Sequence, residues 1–257
     1  MPSGSPMDIP LSWVEAGRDL VAVEAEVSAG YLGVVYDGFR KAGLRVLGFT
    51  CSGGGPTLRC VGILDATNSG RSPEEVAAAL SAMEGIASIE VIREPVRGFA
   101  AARGRVIGAS GARAVVMTSR ALLGLFLGAR QYLGEEVGAT FAYYAGFFSG
   151  REAARQFSSS LGREAAIRVH TRILESHGYA SSIEVLRDAG GGRYRFEVRD
   201  LVECALLRGM RGGRTSHWFR GVLAGFLSEL EGGDWDVEEV ACVNDGSDAC
   251  VFEARRR

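Results

Sequence analysis

The most informative part of the chain reads Trp218-Phe-Arg-Gly-Val-Leu-Ala-Gly-Phe-Leu227, then Glu239-Val-Ala-Cys242, then Asp245-Gly-Ser-Asp-Ala-Cys250-Val-Phe252. The first stretch lies in a predicted helix over 214–230 that is broken at Gly232-Gly233. The other two lie in predicted strands over 235–242 and 249–254. The turn between these strands, residues 244–248, is rich in residue types that tolerate left-handed backbone. A helix followed by an antiparallel strand pair predicts an α+β fold.

The residues before this segment continue the same mixed pattern. Ser119 is a suitable N-cap for a helix, and the small and aromatic residues of the next helix indicate close helix packing. A glycine-rich hairpin loop, 189–192, separates two further strands. The predicted elements are a strand at 113–118, helices at 120–134, 136–157 and 163–177, strands at 181–188 and 193–199, and a short helix from Asp200 to about 207.

The first part of the chain predicts a separate βαββαβ domain. Residues 20–28 alternate apolar and polar side chains, as a half-buried strand does. Ser72-Pro73-Glu74-Glu75 combines an N-cap, a first-turn proline and a capping-box glutamate, so it predicts a helix start. The predicted elements are strands at 20–28, 44–51, 57–65 and 87–93 and helices at 30–42 and 73–83. This order is that of ferredoxin-like folds.

This N-terminal part resembles a regulatory ACT domain. The resemblance rests on Ser28-Ala-Gly-Tyr-Leu-Gly33, followed by a helix and by Ala42-Gly-Leu-Arg-Val46. It implies a regulatory domain whose glycine loop receives an amino acid. Val27 and Ser28 replace the acidic or amide residue that is usual before that loop, so a module used only for packing or dimerisation stays an alternative. The predicted domains are 1–94 and 112–257, with a glycine- and arginine-rich linker at 95–111.

Composition excludes several classes of protein. The net charge is −2 and charged residues make up 23% of the chain, so neither direct nucleic-acid binding nor a disordered chain is indicated. The most apolar run, 121–148, is interrupted by charged residues near its middle, so no membrane span is predicted. Five cysteines are too few for a secreted disulfide scaffold. A cytoplasmic protein is the expectation.

Residues 112–254 resemble the 4-vinyl reductase domain family. The resemblance rests on the C-terminal stretches quoted above and on Phe141-Ala-Tyr-Tyr-Ala-Gly-Phe-Phe-Ser-Gly150, a helix punctuated by glycines. It implies a fold that is also found in a TRAPP tethering-complex subunit and in phenol-sensor domains. Most members are described as binding domains for small hydrophobic molecules rather than as enzymes. The sensor relatives form dimers, so the resemblance also implies a homodimer.

Three residues near the C-terminus predict a metal site. Glu239, Cys242 and Cys250 have side chains that can converge across a tight turn, and zinc accepts thiolate and carboxylate ligands. Buried free thiols or a disulfide across the hairpin are alternatives. In the phenol sensors, the same pattern and an upstream cysteine hold a structural zinc. Ser216 occupies the ungapped upstream position here, so the adjacent His217 is the predicted fourth ligand.

Other candidate residues point to a ligand pocket. In the phenol sensors a histidine and a tryptophan hold the ligand hydroxyl; His170 lies near the expected histidine position, but no tryptophan occurs between Trp13 and Trp218. Phenol specificity is therefore not predicted. Aromatic residues on a helix and on the sheet are the other candidates for a small hydrophobic ligand, although such stripes also serve as core. The predicted ligand-binding residues are Phe141, Tyr144, Phe148, His170, Tyr194 and Phe196.

No catalytic motif stands out, since the chain lacks a G-x-S-x-G elbow, a P-loop and an H-E-x-x-H helix. The leading hypothesis is a ligand-sensing regulatory protein with a structural zinc. The resemblance also leaves two alternatives. One is an accessory protein or enzyme in the reduction of a tetrapyrrole vinyl group, and the other is a structural protein–protein interaction module.

Overall fold

The computed structural model describes residues 9, 11–53, 55–103, 107–109, 112–158, 160–188, 192–210 and 213–257. The described residues up to 103 form one compact unit, and those from 107 onward form a second. The boundaries drawn from sequence, 1–94 and 112–257 with a linker at 95–111, stay predictions.

The N-terminal unit has the predicted order of helices and strands. Its four-stranded antiparallel sheet has the order β3-β4-β2-β5, with two helices in the βαββαβ connections. This is the ferredoxin-like arrangement, and the ACT resemblance within it stays a prediction. The elements of this unit are β1 Ser12–Val14, β2 Leu20–Ser28, α1 Leu32–Lys41, β3 Arg45–Ser52, β4 Thr57–Asp65, α2 Pro73–Ser81, β5 Ile86–Ile92 and β6 Phe99–Ala101.

Local sequence explains these elements. β2 is central in the sheet, and most of its residues are buried because it is covered on both faces. The capping box at Ser72 forms as predicted, with Ser72 Oγ accepting from Glu75 N and the Glu75 carboxylate accepting from Ser72 N. β6 pairs with β1 and buries Ala100, so part of the segment 95–111 is strand rather than open chain.

Cys51 and Cys60 occupy facing positions on β3 and β4, as the sequence predicts. They are joined by a disulfide, with their Cα atoms 4.0 Å apart. The expectation that both are core residues is therefore only half correct. Cys60 is buried, whereas Cys51 is partly exposed because β3 is an edge strand.

The described part of the C-terminal unit combines five helices with a second antiparallel sheet of order β11-β12-β10-β9. The predicted strand 113–118 is much shorter than expected, because residues 115–118 carry no strand pairing. The predicted loop 189–192 lies mostly outside the described residues. The elements are β7 Ile107–Ala109, β8 Ala112–Ala114, α3 Ser119–Leu133, α4 Glu135–Ser158, α5 Arg163–Ser176, β9 Ser182–Arg187, β10 Arg193–Arg199, α6 Val202–Leu207, α7 His217–Glu231, β11 Trp235–Ala241 and β12 Cys250–Arg256.

One face of this sheet carries the core and the other faces water. Phe196 on β10 and Phe252 on β12 are fully buried, and Phe219 of α7 packs on Phe252 with ring centroids 5.2 Å apart. Arg195 and Glu253, the neighbours on the opposite face, are exposed and form an ion pair at 2.8 Å. The alternation follows from the two-residue repeat of a strand with one buried face.

α4 and α7 approach each other through glycines from both helices. A Cβ placed on Gly221 would lie 2.0 Å from the Tyr143 carbonyl oxygen, and one placed on Gly225 would lie 1.9 Å from that of Phe147. Reciprocally, a Cβ on Gly146 or Gly150 would meet backbone of α7 at 2.0 or 2.1 Å. The close packing that the sequence of 136–157 predicts is therefore a contact within the chain.

Candidate functional site

Four buried side chains from separate elements converge at one end of the C-terminal sheet. Cys204 comes from α6, Glu239 from β11, Cys242 from the turn after β11, and Cys250 from the first position of β12. Their donor atoms all lie within 4.8 Å of one another. The turn of residues 243–249 folds β12 back on β11, which is why Cys242 and Cys250 meet.

The three sulfur atoms are spaced as ligands of one ion rather than as a disulfide. Cys204 Sγ lies 3.2 Å from Cys250 Sγ and 3.4 Å from Cys242 Sγ, and the Cys242–Cys250 separation is 3.9 Å. A disulfide has an S–S distance of about 2.05 Å. A tetrahedral zinc with Zn–S bonds of about 2.3 Å holds its sulfurs roughly 3.8 Å apart. Cys204, Cys242 and Cys250 are free thiols.

Glu239 is held at this cluster by Ser216. The Ser216 amide donates to Glu239 Oε2 at 3.1 Å, and the Ser216 hydroxyl hydrogen-bonds Oε1 at 2.9 Å. Burial is the main cause that raises the pKa of Glu239, to about 8. A divalent cation among the donors favours the ionised forms of carboxyl and thiol groups, so metal binding here is linked to proton release.

Cys204 is positioned by two contacts of α6 and its carboxyl end. Its neighbour Glu203 is fully buried and accepts hydrogen bonds from the Trp218 and Phe219 amides at the start of α7. The Asn244 side-chain amide donates to the Cys204 carbonyl oxygen. Hydrogen bonding to Cys242 and Cys250 raises the pKa of the Cys204 thiol, and burial adds to this effect.

His217 is not brought into this cluster, which corrects the predicted ligand set. It is the first residue of α7 and is partly buried, and the group of four donors consists of the three cysteines and Glu239 alone. Burial, together with the nearby Arg220 and Arg130, lowers the pKa of His217 to about 4. Cys204 takes the fourth position, and no ligand spacing in the sequence pointed to it.

His170 is a buried histidine without a hydrogen-bond partner on one nitrogen. It lies on α5, and its ring stacks on Phe226 of α7 with centroids 4.1 Å apart and planes 6° from parallel. Its Nε2 atom has no partner among the described residues. Burial lowers the pKa of His170 to about 4, so the ring is neutral at physiological pH.

A cavity of about 490 Å³ opens between α5 and the strands β9 and β10. Ile167, Ile183, Val185 and the ring of Tyr194 form its apolar lining, and arginines at 168, 172 and 187 also line it. The Tyr194 hydroxyl donates to Glu231 at 2.7 Å. Ile167 and Thr171, which flank His170 along α5, line this cavity too.

The six predicted ligand-binding residues do not share one pocket. Tyr194 lines the cavity beside α5, whereas Tyr144 lines a different cavity with Tyr143 and Phe147. Phe196 is a core residue of the sheet. Phe141 and Phe148 are exposed on α4, since that face of the helix points away from α7.

Residues 196–256 match the family model of the 4-vinyl reductase domain, so the C-terminal unit contains a domain of this family. The matched residues include the four donors described above. No curated protein sequence matches the chain. Among the described residues, no helix combines the length and apolar character that a membrane crossing needs.

Three solved structures are similar to the C-terminal part of the fold. The phenol-responsive sensory domain of the transcription activator PoxR, solved with phenol, is 21% identical with a TM-score of 0.49 and covers 56% of this chain and 77% of its own. A trafficking protein particle complex subunit 3 from Naegleria fowleri, covalently bound to palmitic acid, is 13% identical, with a TM-score of 0.40 and coverage of 54% and 95%. A vinyl-4-reductase family protein from Methanocaldococcus jannaschii is 17% identical, with a TM-score of 0.35 and coverage of 57% and 99%.

Proposed function

We propose that the C-terminal unit is a ligand-sensing domain of the 4-vinyl reductase family that binds a small hydrophobic molecule and is stabilised by a structural zinc ion. The observation that carries the zinc proposal is the convergence of Cys204, Glu239, Cys242 and Cys250 within 4.8 Å. Three thiolates and one carboxylate form a ligand set that zinc accepts. A zinc–thiolate centre requires reduced cysteines, which accords with the predicted cytoplasmic location.

The role of the metal is structural. Four protein donors complete a tetrahedron, so no coordination position is open for a substrate or an activated water. The ion would tie α6 to the β11–β12 hairpin, because Cys204 is the only one of the four that lies outside that hairpin. Since the unfolded chain holds no preformed site, metal binding adds to the free energy of unfolding.

Elemental analysis of protein purified without chelator tests the ligand set. Wild type should contain one zinc per chain, and Cys204→Ser should lose it. His217→Ala is the matched control, because His217 lies beside the site in sequence but outside the donor group, and this variant should keep its zinc. Wild-type protein without zinc, or zinc that depends on His217 but not on Cys204, would overturn the assignment.

The ligand proposal rests on the α5 region. The cavity beside α5 offers apolar walls and polar groups at its edge, the combination that small-molecule sites usually show. His170 supplies a buried nitrogen that needs a partner, because an unsatisfied buried polar atom costs about 1–3 kcal/mol. We propose that a ligand enters beside α5 and uses His170 as its polar anchor.

Native mass spectrometry of the full chain tests this proposal directly. A bound small molecule should appear as extra mass beyond the protein and one zinc, and His170→Phe should lose it while keeping the zinc. Phenylalanine keeps the ring stack on Phe226 and removes the nitrogens. A wild-type spectrum that shows only protein and zinc, across preparations, would argue against a retained ligand at this site.

A further inference from the structure

The outward face of α4 carries an apolar stripe that the C-terminal unit does not use internally. Val137, Phe141, Tyr144 and Phe148 are 57%, 47%, 54% and 59% exposed. Their spacings of four, three and four residues follow the heptad pattern of a helix that packs against another helix. These four residues are called the α4 seam below.

The α4 seam is not the solvated face of an ordinary surface helix. Residues 137–150 contain no charged side chain, although the exposed face of an amphipathic helix is normally polar. The opposite face is already occupied, since Gly146 and Gly150 touch the backbone of α7 and Gly138 touches that of α3. The helix therefore has one apolar face inside the unit and a second one in contact with water.

We infer that the α4 seam is the interface at which a second copy of this chain docks, with the two α4 helices antiparallel. The charges at the two ends of the helix favour this orientation. Glu135 and Glu136 lie at the start of α4, and Arg151 and Arg155 lie beyond the seam. An antiparallel pair brings the acidic end of each helix to the basic end of the other.

This arrangement also matches the seam to itself. With the two-fold axis midway between positions 141 and 144, Phe141 of each copy faces Tyr144 of the other, and Val137 faces Phe148. A two-fold interface requires such self-complementarity. Arg151 lies 6.0 Å from the ring centroids of Phe147 and Phe148, which places its positive charge at the end of the seam.

The exposed area is of the size that a dimer needs. At roughly 200 Å² per aromatic side chain, the three rings of the seam expose roughly 320 Å² per chain. A standard interface buries about 800 Å² per partner, of which about 65% is apolar in homodimers. The rings alone thus supply about 60% of the apolar area required, before Val137 and the small residues beside it are counted.

Light scattering of the full chain after size exclusion tests the interface. At micromolar concentration, wild type should have twice the chain mass of 27.3 kDa, and Tyr144→Arg should have the mass of one chain. Leu186→Arg is the matched control: Leu186 is a similarly exposed apolar residue on β9, and its replacement should leave the dimer intact. Ala145→Arg adds a charge beside the seam without removing a ring, and it should also give monomers.

These outcomes are separable from those of the zinc and ligand proposals. The seam variants should keep their zinc and their melting temperature, because the replaced side chains are exposed. A monomeric wild type, or a Tyr144→Arg dimer of wild-type stability, would overturn the inference even if zinc is present. An occupant other than a second copy would appear as one of these two results.

Cysteine cross-linking tests the antiparallel orientation. In the proposed pair, position 144 lies about 4.5 Å along the helix axis from its own copy, whereas position 137 lies about 16 Å away, at about 1.5 Å per residue. Oxidation should therefore link Tyr144→Cys into covalent dimers and leave Val137→Cys monomeric on a denaturing gel. Equal cross-linking of both variants would indicate parallel helices and overturn the proposed geometry.

Discussion

Replacing Gly225 by alanine should strongly destabilise the C-terminal unit. The new Cβ would lie 1.9 Å from the carbonyl oxygen of Phe147 and 2.7 Å from its carbonyl carbon. Both atoms belong to the backbone of α4, so no side chain can rotate away. Van der Waals contact requires more than about 3 Å, and α4 and α7 would have to separate by more than about 1 Å at this point.

The size of the effect follows from two opposing contributions. Overpacking of a well-packed core costs about 1–3 kcal/mol and occasionally more. Separating the helices also loosens the contacts around Gly221, Gly146 and Gly150, since a gap of about 0.5–1 Å forfeits a quarter to a half of the dispersion energy of each contact. Alanine returns at most about 1 kcal/mol through its higher helix propensity. We expect a net loss of about 3 kcal/mol in the free energy of unfolding.

Urea unfolding followed by tryptophan fluorescence measures this loss. A Trp13→Phe background leaves Trp218 and Trp235 as reporters, and both belong to the C-terminal unit. Gly128→Ala is the matched control: Gly128 lies inside α3, and no atom beyond its own helix lies within 4 Å of the added Cβ among the described residues. This control should gain about 0.5–1 kcal/mol. If Gly225→Ala is as stable as Gly128→Ala, the proposed backbone contact between α4 and α7 is refuted.

Three further outcomes are expected. Ser72→Ala removes the capping box of α2 and should cost about 1 kcal/mol in urea unfolding of the N-terminal unit, whereas Ser52→Ala, at the exposed end of β3, should cost much less. The folded pKa of His170, about 4, lies below its unfolded value of 6.5, so wild type should lose about 2 kcal/mol relative to His170→Phe as the pH falls from about 7 to about 5; equal pH dependence of the two proteins would contradict the buried neutral imidazole. Brief trypsin digestion should cut first between residues 103 and 113, where the two compact units divide, and cleavage within 120–230 before this point would contradict the division.

The order of helices and strands was readable from sequence because its signals are local. The capping box at Ser72 specifies the start of α2 through residues that are neighbours in the chain. The turn at 244–248 likewise joins β11 to β12 with residues that suit its backbone, and Gly246 adopts a positive φ of 97°. Where the pattern had no partner strand it failed: residues 115–118 are mostly apolar, yet no strand in the described part of the chain pairs with them.

The glycines of α4 show what local signals leave open. Gly138, Ala142, Ala145 and Gly146 indicated close approach of another helix, but a glycine pattern does not say which helix approaches. In the structure, Gly146 contacts α7 of the same chain because Gly221 and Gly225 provide the matching gap. The dimer prediction therefore needs another surface, and the exposed residues of the α4 seam provide it.

The fourth donor at the candidate metal centre was missed for a related reason. Glu239, Cys242 and Cys250 belong to one hairpin, so their spacing alone predicts that they meet. Cys204 reaches them from α6, 35 residues before Glu239, and its position depends on how Glu203 binds the start of α7. An ungapped match put Ser216 in its place, 12 residues away, and the two side chains are in fact in contact at 2.7 Å. Ser216 thus lies beside the metal site as the residue that orients Glu239, which explains why its sequence position suggested a ligand although its chemistry did not.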